Sequence, residues 1–350
     1  MALKFKDLPQ LYAHGFDTVI DVRSPAEFAE DHLPGAINLP VLDNEERARV
    51  GTIYKQQSPF LARKLGAALV FRNAANHIEH RLSHHKGNWR PLVYCWRGGQ
   101  RSGSFTWTLQ QIGWQADVVD GGYRTYRRLV KEYLYDQPLP FQLIALDGFT
   151  GTAKTELLHH LDRRGVQVVD LEGLANHRGS LLGERPGGQP SQKAFESALS
   201  AAFCALDPSR PVVVEAESSK IGDRILPPSV WTAMCAAPRI HIDAPLSARS
   251  AYLTRAYDDI LSDTERLRDR LSPLRSHRGH EVVDGWLNLM SSGDKQALTR
   301  ALMEQHYDPA YAKSQRQHPA KTLARIEIAR LDGNGLKGAA DRIKNTLDQL

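Results

Sequence analysis

The sequence predicts an α/β protein made of two successive domains, and three observations carry that expectation. Apolar runs of strand length alternate with stretches of helix length, first over residues 1–135 and again from 141 onward. The intervening Asp136-Gln137-Pro138-Leu139-Pro140 holds two prolines, which interrupt helix and ladder alike. The length of 350 residues also exceeds what one ordinary core supports. The expected divisions are residues 1–135, a linker at 136–140, and a second domain at 141–350 with a helical C-terminal extension.

In the first domain, residues 18–22 read as a strand. Ser24 caps the helix that follows, with Pro25 at its first position. Pro34-Gly35-Ala36 turns the chain into a short strand at 37–39, and Pro91-Leu92-Val93-Tyr94 is a further apolar run. Residues 102–114 read as a helix, 116–120 as a strand ended by Gly121-Gly122, and 123–135 as a charged closing helix. In the second domain strands are expected at 143–146, 166–169, 211–215 and 239–242, with helices at 152–163 and 192–206. Such alternation argues for a doubly wound parallel sheet. Beyond about residue 246 the chain reads as mostly helical.

Apolar residues make up 41% of the chain and charged residues 24%, the balance of a soluble globular protein. No apolar run reaches membrane-span length, and Met1-Ala2-Leu3-Lys4 opens no signal-peptide core. A cytoplasmic protein with no membrane partner is therefore expected. Three cysteines, Cys95, Cys204 and Cys235, exclude a disulfide framework and show no paired metal spacing. The net charge of +5 permits a polyanionic partner without demanding one. Arg124-Thr125-Tyr126-Arg127-Arg128, and Arg266 to Arg270 with Arg275, His277 and Arg278, are basic runs able to track a phosphate backbone. A solvated helix face accounts for either run alone. The His77-Ile78-Glu79-His80 and His84-His85 cluster lacks the cysteines or carboxylates that complete a metal site, so no resident metal is expected.

Two motifs carry chemistry. Cys95-Trp96-Arg97-Gly98-Gly99-Gln100-Arg101-Ser102 directly follows the apolar run 91–94. A cysteine delivered into a loop of glycines and arginines, with a helix starting behind it, meets backbone N–H groups and guanidinium charge. That environment lowers a thiol pKa and makes a nucleophile. Cys95 is the candidate catalytic residue, with Arg97, Gly98, Gly99 and Arg101 as its anion cradle.

The second motif, Gly148-Phe149-Thr150-Gly151-Thr152-Ala153-Lys154-Thr155, lies between an apolar strand and a helix, the context a phosphate-binding P-loop requires. Gly148, Thr150, Gly151, Thr152, Lys154 and Thr155 are the candidate phosphate ligands, with Lys154 on terminal oxygens and Thr155 acting directly or through Mg²⁺. Ala153 stands where the pattern has glycine, and its Cβ is expected to crowd the approach of a phosphate. Glu215 and Glu217 close the strand at 211–215 and are candidates to orient Mg²⁺ or a water. Carboxylates neutralised by Lys220 or Arg224 are the plainer alternative. His177 and Arg178 follow the next strand end and are candidate contacts to a second anion.

Asp21-Val22-Arg23-Ser24-Pro25-Ala26-Glu27-Phe28, Asp31-His32-Leu33-Pro34-Gly35-Ala36-Ile37-Asn38 and the Cys95 loop followed by Gly121-Gly122-Tyr123 resemble the rhodanese family in order and spacing. The resemblance implies a rhodanese-like first domain, followed by a P-loop NTPase-like second domain. Five residues separate Cys95 from Arg101 where common single-domain sulfurtransferases have four. That longer loop resembles rhodanese-fold dual-specificity phosphatases and suits a phosphate-sized anion.

The pairing of both domains, with Val50-Gly51-Thr52-Ile53-Tyr54-Lys55-Gln56-Gln57-Ser58-Pro59-Phe60, Gln192-Lys193-Ala194-Phe195-Glu196, Glu215-Ala216-Glu217-Ser218 and Tyr307-Asp308-Pro309-Ala310-Tyr311, resembles the bacterial tRNA 2-selenouridine synthase family over nearly the whole chain. The resemblance implies replacement of sulfur by selenium at C2 of 2-thiouridine at a tRNA wobble position. It implies selenophosphate as donor, a selenophosphate-supplying enzyme as partner, and an S-geranylated intermediate made from geranyl diphosphate. No tightly bound cofactor is expected, with Mg²⁺ as an option at the diphosphate. A rhodanese-fold phosphatase or sulfurtransferase coupled to a nucleotide-binding P-loop module is the alternative.

Overall fold

A computed structural model describes residues 2–317 and 320–350, with side chains described outside 314–319; Met1 lies outside this range. The chain forms two compact units, Met1–Gln137 with Pro190–Ala205, and Pro138–Gln189 with Leu206–Leu350.

The first unit is built on a parallel sheet of β1 (Ala2–Leu3), β2 (Thr18–Asp21), β3 (Ile37–Asn38), β4 (Pro91–Tyr94) and β5 (Asp117–Val119) in the order β1-β5-β4-β2-β3. β4 is central and buried at all four residues, so its C-terminal end delivers Cys95 to the middle of the sheet edge. Helix Pro25–Glu30 starts as its sequence predicts. Glu27 accepts hydrogen bonds from the Ser24 N–H (3.2 Å) and hydroxyl (3.1 Å), joining a capping box to the Pro25 start. Between β3 and β4 the chain makes two helices, Asn44–Gln56 and Pro59–His77. The second reaches the core through Leu69, Val70 and Ala74, buried with Ile20, Val93 and Phe105, and the first packs half-buried Val50 against the same cluster.

Helix Gln192–Cys204 belongs to this unit, although its place in the sequence assigns it to 141–350. The reason is its partners. Phe195, Leu199 and Phe203 are fully buried, Ser200 Oγ lies 2.9 Å from the Tyr12 hydroxyl, and Glu196 pairs with Arg127.

The second unit is built on β6 (Leu143–Asp147), β7 (Gln167–Val169), β8 (Val212–Glu215), β11 (Arg239–Asp243) and β12 (Thr322–Glu327), all parallel in the order β12-β11-β6-β8-β7. A short antiparallel pair, β9 (Lys220–Ile221) with β10 (Arg224–Ile225), stands apart from it. β12 adds a strand to the C-terminal region, which the sequence reads as mostly helical. Residues 322–327 add an edge strand along β11, and helix Gly333–Leu347 packs behind it through Leu336, Ala340 and Ile343. Burial of each such aliphatic side chain contributes about 1.5–3 kcal/mol, enough to override the helical composition around it. Among the described residues, no helix is long and apolar enough to cross a membrane.

Candidate functional site

In the first unit the three N-terminal segments that resemble the rhodanese family meet in one buried network. Arg23, 1% exposed, forms an ion pair with Asp21 at 2.6 Å and donates to the Asp31 carbonyl at 2.6 Å. Its guanidinium lies 3.8 Å from the Tyr123 ring centroid, and the Tyr123 hydroxyl donates to Asp31 Oδ2 at 2.7 Å. Tyr123 in turn donates its N–H to the Cys95 carbonyl at 2.8 Å, and Arg124 donates to that of Trp96 at 3.1 Å. The network therefore fixes the backbone from which the cysteine loop springs. Gly122 makes this approach sterically accessible, since a Cβ there would sit 2.2 Å from the Cys95 carbonyl oxygen.

Cys95 is 3% exposed, with Ser102 behind it. Ser102 Oγ donates to Cys95 Sγ at 3.1 Å. Burial alone would raise the thiol, but the Ser102 hydroxyl and N–H, the Arg101 charge and the Arg97 N–H outweigh it, and the pKa is lowered. Arg97 is exposed at the loop rim with Gly99. Arg101 is not free: its Nη1 lies 3.0 Å from Glu27 Oε2. Burial opposes the Glu27 charge, yet Arg101, Ser24 and Arg47 hold its carboxyl below the ordinary range. An incoming anion would compete with Glu27 for Arg101. Ser102 and Glu27 received no role from the sequence. The signals were present, Ser102 in the first helical turn after the cradle and Glu27 at the third helical position after Ser24.

The second unit holds a cavity of about 700 Å³ at the C-terminal end of β6. Gly148, Thr150, Gly151, Thr152, Lys154 and Thr155 all line it. Gly148 and Gly151 adopt φ of 152° and 86°, and a Cβ at Gly151 would meet Leu253 at 2.9 Å. Ala153 adopts φ 57° at the start of helix Lys154–Asp162. Its side chain is 5% exposed and belongs to the apolar cluster of Leu146, Leu157 and Ile242. Ala153 also lines the cavity, and its left-handed backbone costs about 1–2 kcal/mol. Lys154 Nζ donates to the Gly148 carbonyl at 3.0 Å, and Thr155 Oγ1 donates to Glu172 Oε2 at 2.9 Å.

Four carboxylates gather beside the loop. Glu217 lines the cavity with Glu172, and Gly179 (φ 69°) leaves room for both: a Cβ there would lie 2.7–2.8 Å from their oxygens. Burial, the Glu172 charge and a hydrogen bond from the pair push Glu217 up to about 8, opposed by Lys154. Glu172 is raised as well, chiefly by burial. Glu215 does not line the cavity. It is fully buried, its Oε2 accepts from the Leu171 N–H at 3.1 Å, and burial beside Asp170 and Glu172 pushes its carboxyl well above the ordinary range. Arg178 lines the cavity but forms a two-point pair with Asp259 at 3.0 and 3.1 Å. His177 is 6% exposed and accepts the Gly179 N–H at 3.1 Å, a loop-shaping position. Among the described residues, no group of three or more His, Cys, Asp or Glu is arranged to hold a metal ion.

The segment Tyr307–Tyr311 braces the phosphate loop from the C-terminal side. Arg249 donates to the Thr150 carbonyl at 3.1 Å and holds Asp308 through two bonds of 3.0 and 2.8 Å. The Tyr311 hydroxyl donates to Asp147 at the end of β6 and its ring lies 4.8 Å from Phe149. Trp231, Met234, Leu253 and Tyr257 supply an apolar wall to the same cavity.

The chain matches two family models, the rhodanese-like domain over residues 5–129 and the tRNA 2-selenouridine synthase AAA domain over 141–270. Among similar proteins, a tRNA 2-selenouridine synthase of Alcanivorax borkumensis is 34% identical over 84% of this chain and 88% of its own length. One from Chromohalobacter salexigens is 34% identical over 87% and 90%, and one from Cupriavidus pinatubonensis 31% identical over 92% and 95%.

Proposed function

The chain belongs to the tRNA 2-selenouridine synthase family, whose members are tRNA-modifying transferases, and from that premise we propose two chemical steps on one tRNA base. In the first, the sulfur of the wobble 2-thiouridine attacks C1 of geranyl diphosphate. The S–C bond forms, the C–O bond breaks, diphosphate leaves with the electron pair, and the N3 proton is released. In the second, the selenium of selenophosphate adds to C2 and geranyl thiolate departs. Water then splits the Se–P bond and frees phosphate. A selenophosphate-producing enzyme must supply the donor.

The observation that carries this reading is the cavity of about 700 Å³, in which a phosphate loop faces an apolar wall. A nucleotide needs the first feature; a diphosphate with a prenyl chain uses both. Lys154, Thr155 and the Gly148–Thr152 backbone would hold the diphosphate. Thr155 and Glu217 would hold a Mg²⁺, which would neutralise leaving-group charge. Arg97 and Arg101 would hold selenophosphate while the Cys95 thiolate directs selenium to C2.

Mass spectrometry of tRNA nucleosides tests both steps, with geranyl diphosphate added first and selenophosphate second. Wild type should give the S-geranyl nucleoside and then selenouridine. Lys154→Ala should lose geranyl transfer by about 10²–10³-fold, the usual cost of one transition-state charge contact. It should still selenate a pre-geranylated tRNA. Cys95→Ala should accumulate the geranylated nucleoside. Full geranyl transfer by Lys154→Ala, or normal selenation by Cys95→Ala, sinks this assignment of roles.

A further inference from the structure

The helical hairpin between β3 and β4 has no role in either chemical step, yet it carries an excess of cations. From Arg47 to Ile78 there is no Asp or Glu, against six cations at 47, 49, 55, 63, 64 and 72, in a protein whose whole net charge is +5. Two of the six have carboxylate neighbours: Arg72 pairs with Glu46 at 2.5 Å, and Arg47 stands 3.8 Å from Glu27. Arg49, Lys55, Arg63 and Lys64 are exposed and form no ion pair among the described residues.

Large apolar side chains are exposed among these charges. Tyr54 is 57% exposed, Phe60 66% and Phe71 46%. Along helix Pro59–His77 the 3.6-residue period puts Phe60, Lys64, Ala67 and Phe71 on one outward face, while Ala62, Gly66, Leu69 and Ala74 are buried on the other. The hairpin is held firmly at its base. A Cβ on Gly66 would lie 3.5 Å from Val50, and Asn73 donates to the Val41 carbonyl at 3.1 Å.

The basic runs legible in the sequence are spent differently. Arg127 is paired with Glu196, Arg128 with Glu132, Arg266 and Arg270 with Glu184, and Arg275 with Asp284; Arg278 donates to His306. All of these guanidinium groups except Arg278 are paired with carboxylates within the fold.

We propose that the hairpin Asn44–His77 is an RNA-gripping arm, with Tyr54 and Phe60 stacking on unpaired bases and Lys55, Arg63 and Lys64 contacting phosphates. Aromatics interleaved with unneutralised cations are what single-stranded nucleic acid requires. A lipid surface fits less well, since Arg63 and Lys64 stand between the exposed Phe60 and Leu61 at one end of the helix and Phe71 further along. The proposal rests on the tRNA-modifying reading above and adds the surface that holds the anticodon loop.

Fluorescence anisotropy with a labelled anticodon stem–loop RNA, at salt concentrations from about 50 to 200 mM, tests it on the full chain. The combined Lys55→Gln, Arg63→Gln, Lys64→Gln variant should lower the slope of log K against log salt by about 2, at about 0.7 per lost contact. Tyr54→Ala and Phe60→Ala should each weaken binding by about 5- to 150-fold and leave that slope alone. All these side chains are exposed, so thermal unfolding monitored by circular dichroism should not shift. Wild-type affinity and slope in both variant classes overturn the proposal. So does loss of binding to phosphatidylglycerol vesicles with RNA binding intact. The assay contains neither selenophosphate nor geranyl diphosphate. A wild type that binds RNA but modifies no nucleoside therefore leaves the arm standing and removes the chemistry. Variants that modify tRNA with an unchanged KM remove only the arm.

Discussion

Ser102 Oγ donates its proton to Cys95 Sγ across 3.1 Å, at a position where Ser102 is closed to solvent. The bond stabilises the thiolate against the burial that would otherwise neutralise it. Ser102→Ala removes that donor and leaves Arg101 and the backbone N–H groups in place. The thiol pKa should rise, and the pH profile of iodoacetamide alkylation should move to higher pH. Selenation of a geranylated tRNA should slow with it. An unchanged alkylation profile would remove Ser102 from the activation of Cys95.

Arg249 and Asp308 tie the phosphate loop to the segment Tyr307–Tyr311 through two parallel bonds, and Arg249 also reaches the Thr150 carbonyl. A buried guanidinium deprived of its carboxylate is costly, about 3–5 kcal/mol when fully enclosed and less here, where Asp308 is partly open to solvent. In urea unfolding, Arg249→Met and Asp308→Asn should each destabilise, and the double variant should cost less than their sum. A coupling of about 0.5–3 kcal/mol is expected. Strict additivity would mean that the two residues stabilise the loop independently.

Much of the fold and the candidate site is legible in the sequence. The strand at 91–94, the Cys95 loop and the strand–loop–helix at 143–163 are local patterns, set by hydrophobic period, glycine and caps. What escaped the sequence was decided by distant partners. Residues 322–327 become a strand because β11 offers an open edge, and nothing within that segment announces it. Helix Gln192–Cys204 was legible as a helix, but its place in the first unit depends on Tyr12 and Arg127. Arg101 reads as an anion ligand in one dimension; Glu27, 74 residues earlier, competes for it. The counter-charges of the basic runs at 124–128 and 266–278, such as Glu196 and Glu184, likewise lie far away in sequence. The left-handed backbone of Ala153, φ 57°, is likewise not revealed by residue identity.

The Glu172–Glu217 pair gives the second unit a pH dependence with a definite sign. Glu217 ionises near 4.5 in an unfolded chain and at about 8 in the fold. Below pH 4.5 both states carry the proton and the site's contribution is complete. As pH rises from 4.5 toward 8 the unfolded chain releases the proton while the folded chain keeps it, so stability falls and the loss is complete above about 8. Each unit of separation is at most about 1.4 kcal/mol. Glu217→Gln supplies a permanent N–H to Glu172 in place of the shared proton and cannot ionise. Urea unfolding in metal-free buffer at pH 5, 6, 7 and 8 should show wild type losing stability more steeply than the variant. The gap should grow in the variant's favour toward pH 8. Parallel curves would show that Glu217 ionises in the fold as it does in the unfolded chain.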